Sequence, residues 1–268
     1  MKITIIGAGA FGTALASILE ENGHEISFFD PFKFPDVSLI GAIENSDTII
    51  FSAPSESLKN TLKSLPESAK NLPFINASKG FIDDEDFKDL KKFSIISGPS
   101  FSKDIKAKKP TTLTATDFFT KDLFETPWLK IEISHDKKGI LLCGTLKNIF
   151  AIYSGSKNIK PATPKFREFL IESIHEMKVI LKTNSCNPET AELACGFKDL
   201  ALTASSTRSR NYRFGRSLTD KNADLGALAR SETIEGLSAL KSLKTSGLTI
   251  PENLPILEET LTLCKPLF

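Results

Sequence analysis

The first thirty residues restrict the possible folds more than any other stretch of this chain. Lys2–Ile6 is a short β-forming run, and Gly7-Ala8-Gly9-Ala10-Phe11-Gly12 follows it at once. A helical segment over Thr13–Asn22 comes next, then Gly23-His24 and a second strand-like run, Glu25–Phe29. Strand, G-x-G-x-x-G turn, helix and strand in that order form the unit that a dinucleotide-binding domain requires. Gly7 permits the tight turn, Gly9 lets the backbone approach a pyrophosphate, and Gly12 lets helix and strand pack closely. The helix N-terminus would present N–H groups and a positive dipole end to the phosphates. The competing reading is a glycine-rich turn in an unliganded α/β domain. Asp30 closes the second strand, 18 positions after Gly12. A carboxylate there accepts from a ribose 2′-hydroxyl and repels a 2′-phosphate, which favours NAD over NADP. Asp-Pro is also a common turn pair, so Asp30 before Pro31 has a purely conformational reading.

Further strand-like runs follow at Thr48–Ser52, Phe74–Ile75 and Ser94–Ile96, with helix-prone segments at Glu56–Leu65 and Asp84–Lys91. Each run ends in small or polar residues: Ala53-Pro54, then Asn76 to Lys79-Gly80, then Ser97-Gly98-Pro99-Ser100-Phe101-Ser102. In an open parallel sheet, ligands collect outside the carboxyl ends of the strands. These loops should therefore line one crevice with the glycine turn, and Lys79 is the cation at their tips. Leu113–Ala115 and Lys130–Ser134 read as closing strands. Ser134-His135-Asp136 reads as a cap for the next helix, which places a domain boundary at 137. The fold expected is α/β: an N-terminal Rossmann-type doubly wound sheet over 1–137, then an all-α domain over 138–268.

Beyond 137 helical periodicity takes over, at Gly139–Ser154, Lys165–Lys182, Asn187–Leu193, Asp199–Ser205, Leu225–Arg230, Thr233–Lys244 and Glu252–Cys264. The first of these carries one cation, Lys147, in an otherwise apolar stretch. Cys143, Lys147 and Ala151 share a face at helical spacing, and Asn148 lies beside them. A lysine there either snorkels to solvent or has a partner and a task. Later, Asp199 and Thr203 stand one helical turn apart, and Arg208, Arg210, Arg213 and Arg216 follow among Ser, Thr and Asn residues. Guanidinium groups bind phosphate bidentately, so this cluster suits a small phosphorylated ligand; a solvated basic face is the alternative. With 268 residues, 25% charged and a net charge of +1, the chain has no bias toward nucleic acid, and two tyrosines and one tryptophan supply few stacking groups. Its apolar runs are too short to span a bilayer. Cys143, Cys186, Cys195 and Cys264 are scattered, as reduced thiols of a cytoplasmic protein would be, with no metal site expected.

Taken together, GAGAFGTALA, SKG, SGPSF, CGTLKNIFAI, KDLALT, SRNYRFG and TIEG resemble, in matching order, NAD(P)-dependent glycerol-3-phosphate dehydrogenase of the bacterial type. The resemblance runs from residue 3 to about residue 236. It implies reversible hydride transfer between C2 of sn-glycerol 3-phosphate and NAD or NADP, giving dihydroxyacetone phosphate for phospholipid metabolism. It makes Lys147 the proton donor and acceptor, with Asn148, Asp199 and Thr203 around it. Lys79, Gly98, Ser100, Ser209, Arg210 and Asn211 fall to the substrate. Gly7, Gly9, Ala10, Phe11, Gly12, Asp30, Pro54, Lys79, Ser102, Arg210, Thr233 and Glu235 fall to the cofactor. A homodimer is implied as in relatives. The chain departs from the family pattern in four places. It is short between Pro31 and Ile43, has Ser102 for alanine and Thr233 for valine, and reads Gly-Phe-Lys-Asp where Gly-x-Gly-Asp is usual before Asp199.

Overall fold

The computed structural model describes residues 1–78, 84–220, 223–231, 233–245 and 247–267. The chain divides into two compact units, Met1–Lys137 and Lys138–Phe268.

The first unit is built on β1 (Lys2–Ile6), α1 (Ala10–Glu21), β2 (Glu25–Phe29), α2 (Leu39–Ile43), β3 (Thr48–Phe51), α3 (Leu58–Ser64) and β4 (Pro73–Asn76). It continues with β5 (Lys92–Ser97), α4 (Ser102–Lys106), β6 (Thr111–Ala115), α5 (Phe118–Phe124) and β7 (Leu129–Ile133). Among the described residues these strands make one sheet in the order β2-β1-β3-β4-β5-β6-β7. Alternate side chains serve opposite faces, as the two-residue repeat of a strand demands. Ile5, Ile50, Ile75 and Ile96 pack with Leu15, Ile18 and Leu19 of α1 and Phe124 of α5. Ile6, Ile49, Phe51 and Phe74 pack on the other face with Leu58 and Leu65. Both faces are covered, so the sheet is doubly wound. The chain steps from β1 to β2 on one side and to β3 on the other, which opens the crevice of such folds at the ends of β1 and β3.

Two expectations for this unit need correction. The sheet is not parallel throughout: β6 runs antiparallel to β5, and β7 runs parallel to β6. The carboxyl ends of β6 and β7 therefore lie on the opposite edge from those of β1 to β5. The segment 84–91 is not a helix beyond a 3-10 turn at Asp84–Phe87. Phe87 is buried with its ring 3.6 Å from that of Phe93, and this stacking pins the chain close to the start of β5.

The second unit contains α6 (Lys137–Ser156), which starts at the junction, then α7 (Pro164–Thr183), α8 (Asp199–Ala204), α9 (Arg210–Ser217), α10 (Leu225–Ser231), α11 (Glu235–Thr245) and α12 (Pro255–Cys264). From Gly139 to Ser156, α6 is buried nearly all round, as expected of a central core helix. Thr163 caps α7 by accepting from Phe166 N–H, and Pro164 fits its first turn. The helix expected over Asn187–Leu193 is instead a 3-10 turn, Pro188–Glu192, followed by a π-turn at Ala194–Lys198. α9 lies in the arginine-rich segment, where no separate helix is expected from the sequence. Backbone meets backbone where it crosses α6. A methyl group at Gly215 would come 2.0 Å from the Ile152 carbonyl oxygen, and one at Gly155 would come 2.1 Å from that of Tyr212.

Glu176 of α7 is 2% exposed, and its carboxylate accepts from Ile256 N–H at 2.6 Å and Leu257 N–H at 3.0 Å. It thus satisfies the first turn of α12 from a distant element. The four described cysteines are buried and unbridged, and burial pushes the Cys264 thiol up to about 12. Among the described residues, no helix is long and apolar enough to cross a membrane.

Two outcomes follow from this packing. Gly215→Ala should destabilise the chain by about 2–3 kcal/mol in urea unfolding, because α6 and α9 must separate to admit a methyl group. Burial raises the carboxyl of Glu176 above its ordinary 4.5, while the two N–H donors pull it back. The native chain then keeps this proton at pH values where the unfolded chain has lost it. Its contribution to stability is full below the unfolded value and is lost as pH rises through the raised one. Tm measured against pH should fall more steeply across that window for the parent than for Glu176→Gln.

Candidate active site

In the first unit the glycine turn is held from several directions. Gly7 has φ +102°, and a methyl group there would lie 2.7 Å from Ala53 N. One at Gly12 would lie 2.0 Å from the Gly7 carbonyl oxygen, so helix and turn can meet only through glycine. Nothing stands within 4 Å of the position a methyl group would take at Gly9. Gly9 is also the N-cap of α1 and contributes no side-chain cap. An open backbone surface at a twelve-residue helix N-terminus is the cradle that a pyrophosphate fits. Ser52 braces the turn by donating to the Gly7 carbonyl at 2.9 Å. Ala10 is exposed and Phe11 half-buried at the start of α1, and Pro54 is exposed just beyond β3.

Asp30 turns out to be both a turn residue and a brace. Its carboxylate accepts from Phe32 N–H at 3.1 Å and Lys33 N–H at 3.3 Å, closing the turn after β2. Its other oxygen accepts from Ala8 N–H at 2.9 Å, inside the glycine turn, and the Lys33 amine donates to the Ala8 carbonyl. Gly98 has φ +144° and packs on Leu113; Ser100 is buried and donates to the Gly98 carbonyl at 3.0 Å. Ser102 begins α4 and is half-buried. Lys79 lies outside the described residues.

In the second unit, Lys147 of α6 and Asp199 at the start of α8 form a direct ion pair, each side chain 1% exposed. Lys147 does not snorkel. Thr203, one turn along α8, donates its hydroxyl to the other oxygen of Asp199 at 3.3 Å. The π-turn before α8 delivers Asp199: Gly196 passes so close to Ala191 that a methyl group would stand 2.2 Å from its carbonyl oxygen. An ion pair withdrawn from water costs several kcal/mol per ion unless geometry and further hydrogen bonds offset it. It also holds an amine, a proton carrier, at a fixed point with its carboxylate partner.

The SRN residues each have a protein partner. Ser209 is buried and caps α9 by accepting from Tyr212 N–H at 3.3 Å. Arg210 is partly exposed and donates to Glu235 at 3.1 Å. Asn211 is buried and joined to Asn148 at 2.8 Å. Arg213 folds back on the Thr207 and Arg208 carbonyls. Thr233 is exposed, two residues before Glu235. Sequence reasoning missed Ser52, Lys33, Gly155, Gly215 and Gly236, which act through backbone contacts. Among the described residues no group of three or more His, Cys, Asp or Glu could hold a metal ion.

Residues 2–33 and 35–118 match the family model for the NAD-dependent glycerol-3-phosphate dehydrogenase N-terminus, and residues 136–266 match the model for its C-terminus. Among curated relatives, the chain is 27% identical to glycerol-3-phosphate dehydrogenase [NAD(P)+] of Staphylococcus saprophyticus, covering 100% of this chain and 93% of that one. It is 29% identical to the enzyme of the same name from Acholeplasma laidlawii, covering 97% and 92%. A solved structure of glycerol-3-phosphate dehydrogenase from Coxiella burnetii shares the fold with a TM-score of 0.82 at 22% identity, over 99% of this chain and 98% of that one. Both halves of the chain are thus accounted for by one family, and the protein belongs to the NAD-dependent glycerol-3-phosphate dehydrogenases.

Proposed function

We propose that this protein interconverts sn-glycerol 3-phosphate and dihydroxyacetone phosphate with NAD(P), using Lys147 as the proton donor and acceptor. The observation that carries this reading is the buried Lys147–Asp199 pair with Thr203 behind it. Removing a hydride from C2 of an alcohol requires a base for the hydroxyl proton. In the reverse direction, the ketone oxygen requires a proton donor. A neutral Lys147 amine takes the hydroxyl proton; its ammonium form returns it to the ketone oxygen. Asp199, itself steadied by Thr203, keeps the amine at one position through both states. The bound coenzyme supplies the hydride acceptor or donor. Gly7, Gly9, Ala10, Phe11 and Gly12, with Pro54, Ser102, Thr233 and Glu235, are the residues proposed to hold it.

Arg210, with Ser209, Gly98, Ser100 and Lys79, is assigned to the phosphorylated end of the substrate. Phosphate binding remote from C2 lets binding energy orient the reacting carbon. A guanidinium held in place by Glu235 suits a phosphate, which favours a phosphorylated substrate over a simple hydroxyacid. A dinucleotide-binding regulator without turnover would not need a lysine buried against an aspartate. Asp30 favours NAD over NADP, since a carboxylate at the end of β2 opposes a 2′-phosphate. A cytoplasmic homodimer supplying glycerol phosphate for phospholipid synthesis completes the proposal.

Absorbance at 340 nm with dihydroxyacetone phosphate and NADH, then NADPH, tests it directly. Both should be oxidised, NADH at lower KM; oxidation of neither would remove the enzyme reading. Lys147→Ala should lower kcat by about 10²- to 10⁴-fold, the usual contribution of a positioned acid–base group. Asp199→Ala should cost about 3–5 kcal/mol of stability in denaturant titration, since it leaves a buried ammonium without its counter-charge. Arg210→Ala should raise KM for dihydroxyacetone phosphate by about 10- to 100-fold, equivalent to one charged hydrogen bond. An unchanged KM would take Arg210 out of the phosphate site.

A further inference from the structure

α8 is six residues long, Asp199–Ala204, too short to hold its shape without support from its neighbours. Its start is gripped by the Lys147–Asp199 pair. Its end leaves carbonyl groups that have no partner inside the helix. Ser205 meets one of them, donating its hydroxyl to the Ala201 carbonyl at 2.7 Å. Another, the Ala204 carbonyl, accepts from the hydroxyl of Ser154 at 2.8 Å, 50 positions away on α6. Ser154 lies two helical turns beyond Lys147, so both project from one face of α6. That face therefore holds α8 at both ends, by a charge at its first residue and a hydroxyl at its last. The choice of partner sets Ser154 apart. A serine or threonine inside a helix commonly donates to a carbonyl of its own preceding turn. On α6, Thr145 donates in this way to Leu141 at 2.9 Å, and Ser156 to Tyr153 at 2.8 Å. Ser154 is fully buried and gives its hydroxyl to the other helix instead.

From this arrangement we infer that Ser154 is a positioning residue for the proton transfer: by anchoring the last carbonyl of α8, it keeps Asp199 and Thr203 set against Lys147. Ala204 directly follows Thr203, whose hydroxyl steadies Asp199. A shift at the end of so short a helix is passed to both residues that stand behind the Lys147 amine. The inference rests on the reading of Lys147 given above and adds to that site a residue that acts through α8. Loss of such an anchor lowers turnover. It leaves affinity for the phosphorylated end, assigned to Arg210 on α9, where it was.

The test uses dihydroxyacetone phosphate and NADH with the full chain, at a temperature well below unfolding, on variants whose near-UV circular dichroism matches the parent. Ser154→Ala should lower kcat about 5- to 50-fold, the cost of a small misplacement of reacting groups, while KM for dihydroxyacetone phosphate stays within about threefold. Ser156→Ala removes a buried hydroxyl that bonds its own helix, and it should change kcat by less than about twofold, having no link to α8. Thr203→Ala should also be slow. Adding Ser154→Ala to it should cost less than Ser154→Ala costs alone, because both changes loosen the same carboxylate. Parent-like kcat in Ser154→Ala, or a loss no larger than that of Ser156→Ala, would overturn the inference. So would a rise in KM matching that of Arg210→Ala, or losses that multiply in the double variant. An inactive parent protein would instead count against the proposed reaction itself.

Discussion

An ammonium and a carboxylate buried against each other impose conditions on everything around them. Lys147 and Asp199 are both withdrawn from water, and their attraction repays that loss only while the distance and the surrounding hydrogen bonds are kept. Much of the second unit can be read as the means of keeping them. α6 is apolar and buried nearly all round, so it cannot shift without exposing core. The π-turn at Ala194–Lys198 leads directly into α8, where helical spacing puts Asp199 and Thr203 on one face. Paired glycines let the backbones of α9 and α6 meet directly at Gly155 and Gly215. A rigid frame keeps the distance on which the attraction of a buried pair depends.

The first unit centres on a glycine turn that leads into the N-terminus of α1. Its glycine turn is shaped less by the glycines than by what surrounds them. Ala53 and Ser52 press on it from β3, and Asp30 ties Ala8 to the turn after β2. These contacts bear out the conformational reading of Asp30 and extend it to a brace on the glycine turn.

Strand positions in the first unit were legible because β-branched runs alternate with turn residues at short intervals, and β1 and β2 begin and end where their composition says. Strand direction was not legible. A two-residue repeat reads the same both ways, so the reversal at β6 had no local signal. The candidate site residues stood out as types in unusual settings: a lysine in an apolar helix, a carboxylate and a hydroxyl one turn apart. Their pairing was implied by the family resemblance and not by spacing, since Lys147 and Asp199 are 52 positions apart and only the fold brings them together. α9 was obscured by its own chemistry. Arginine, serine and asparagine suggest a ligand, yet the segment also has a buried helical face in Asn211, Tyr212, Phe214 and Gly215. The residues that sequence reading overlooked are two side chains aimed at main-chain carbonyls, Ser52 and Lys33, and three glycines that let other chain segments come close, none of them a type that marks a ligand site.

The link between Glu176 and the start of α12 sets an order of events during synthesis. The first unit contains all of its strands by residue 133 and can fold while the rest of the chain is still on the ribosome. The second unit has no such freedom, because the carboxylate in its core waits for N–H groups supplied by residues 256 and 257. Until they emerge, α7 must leave that carboxylate in water, and the second unit cannot close. A frameshift or early stop before the last helix would thus spare the first unit while leaving its companion open to proteolysis.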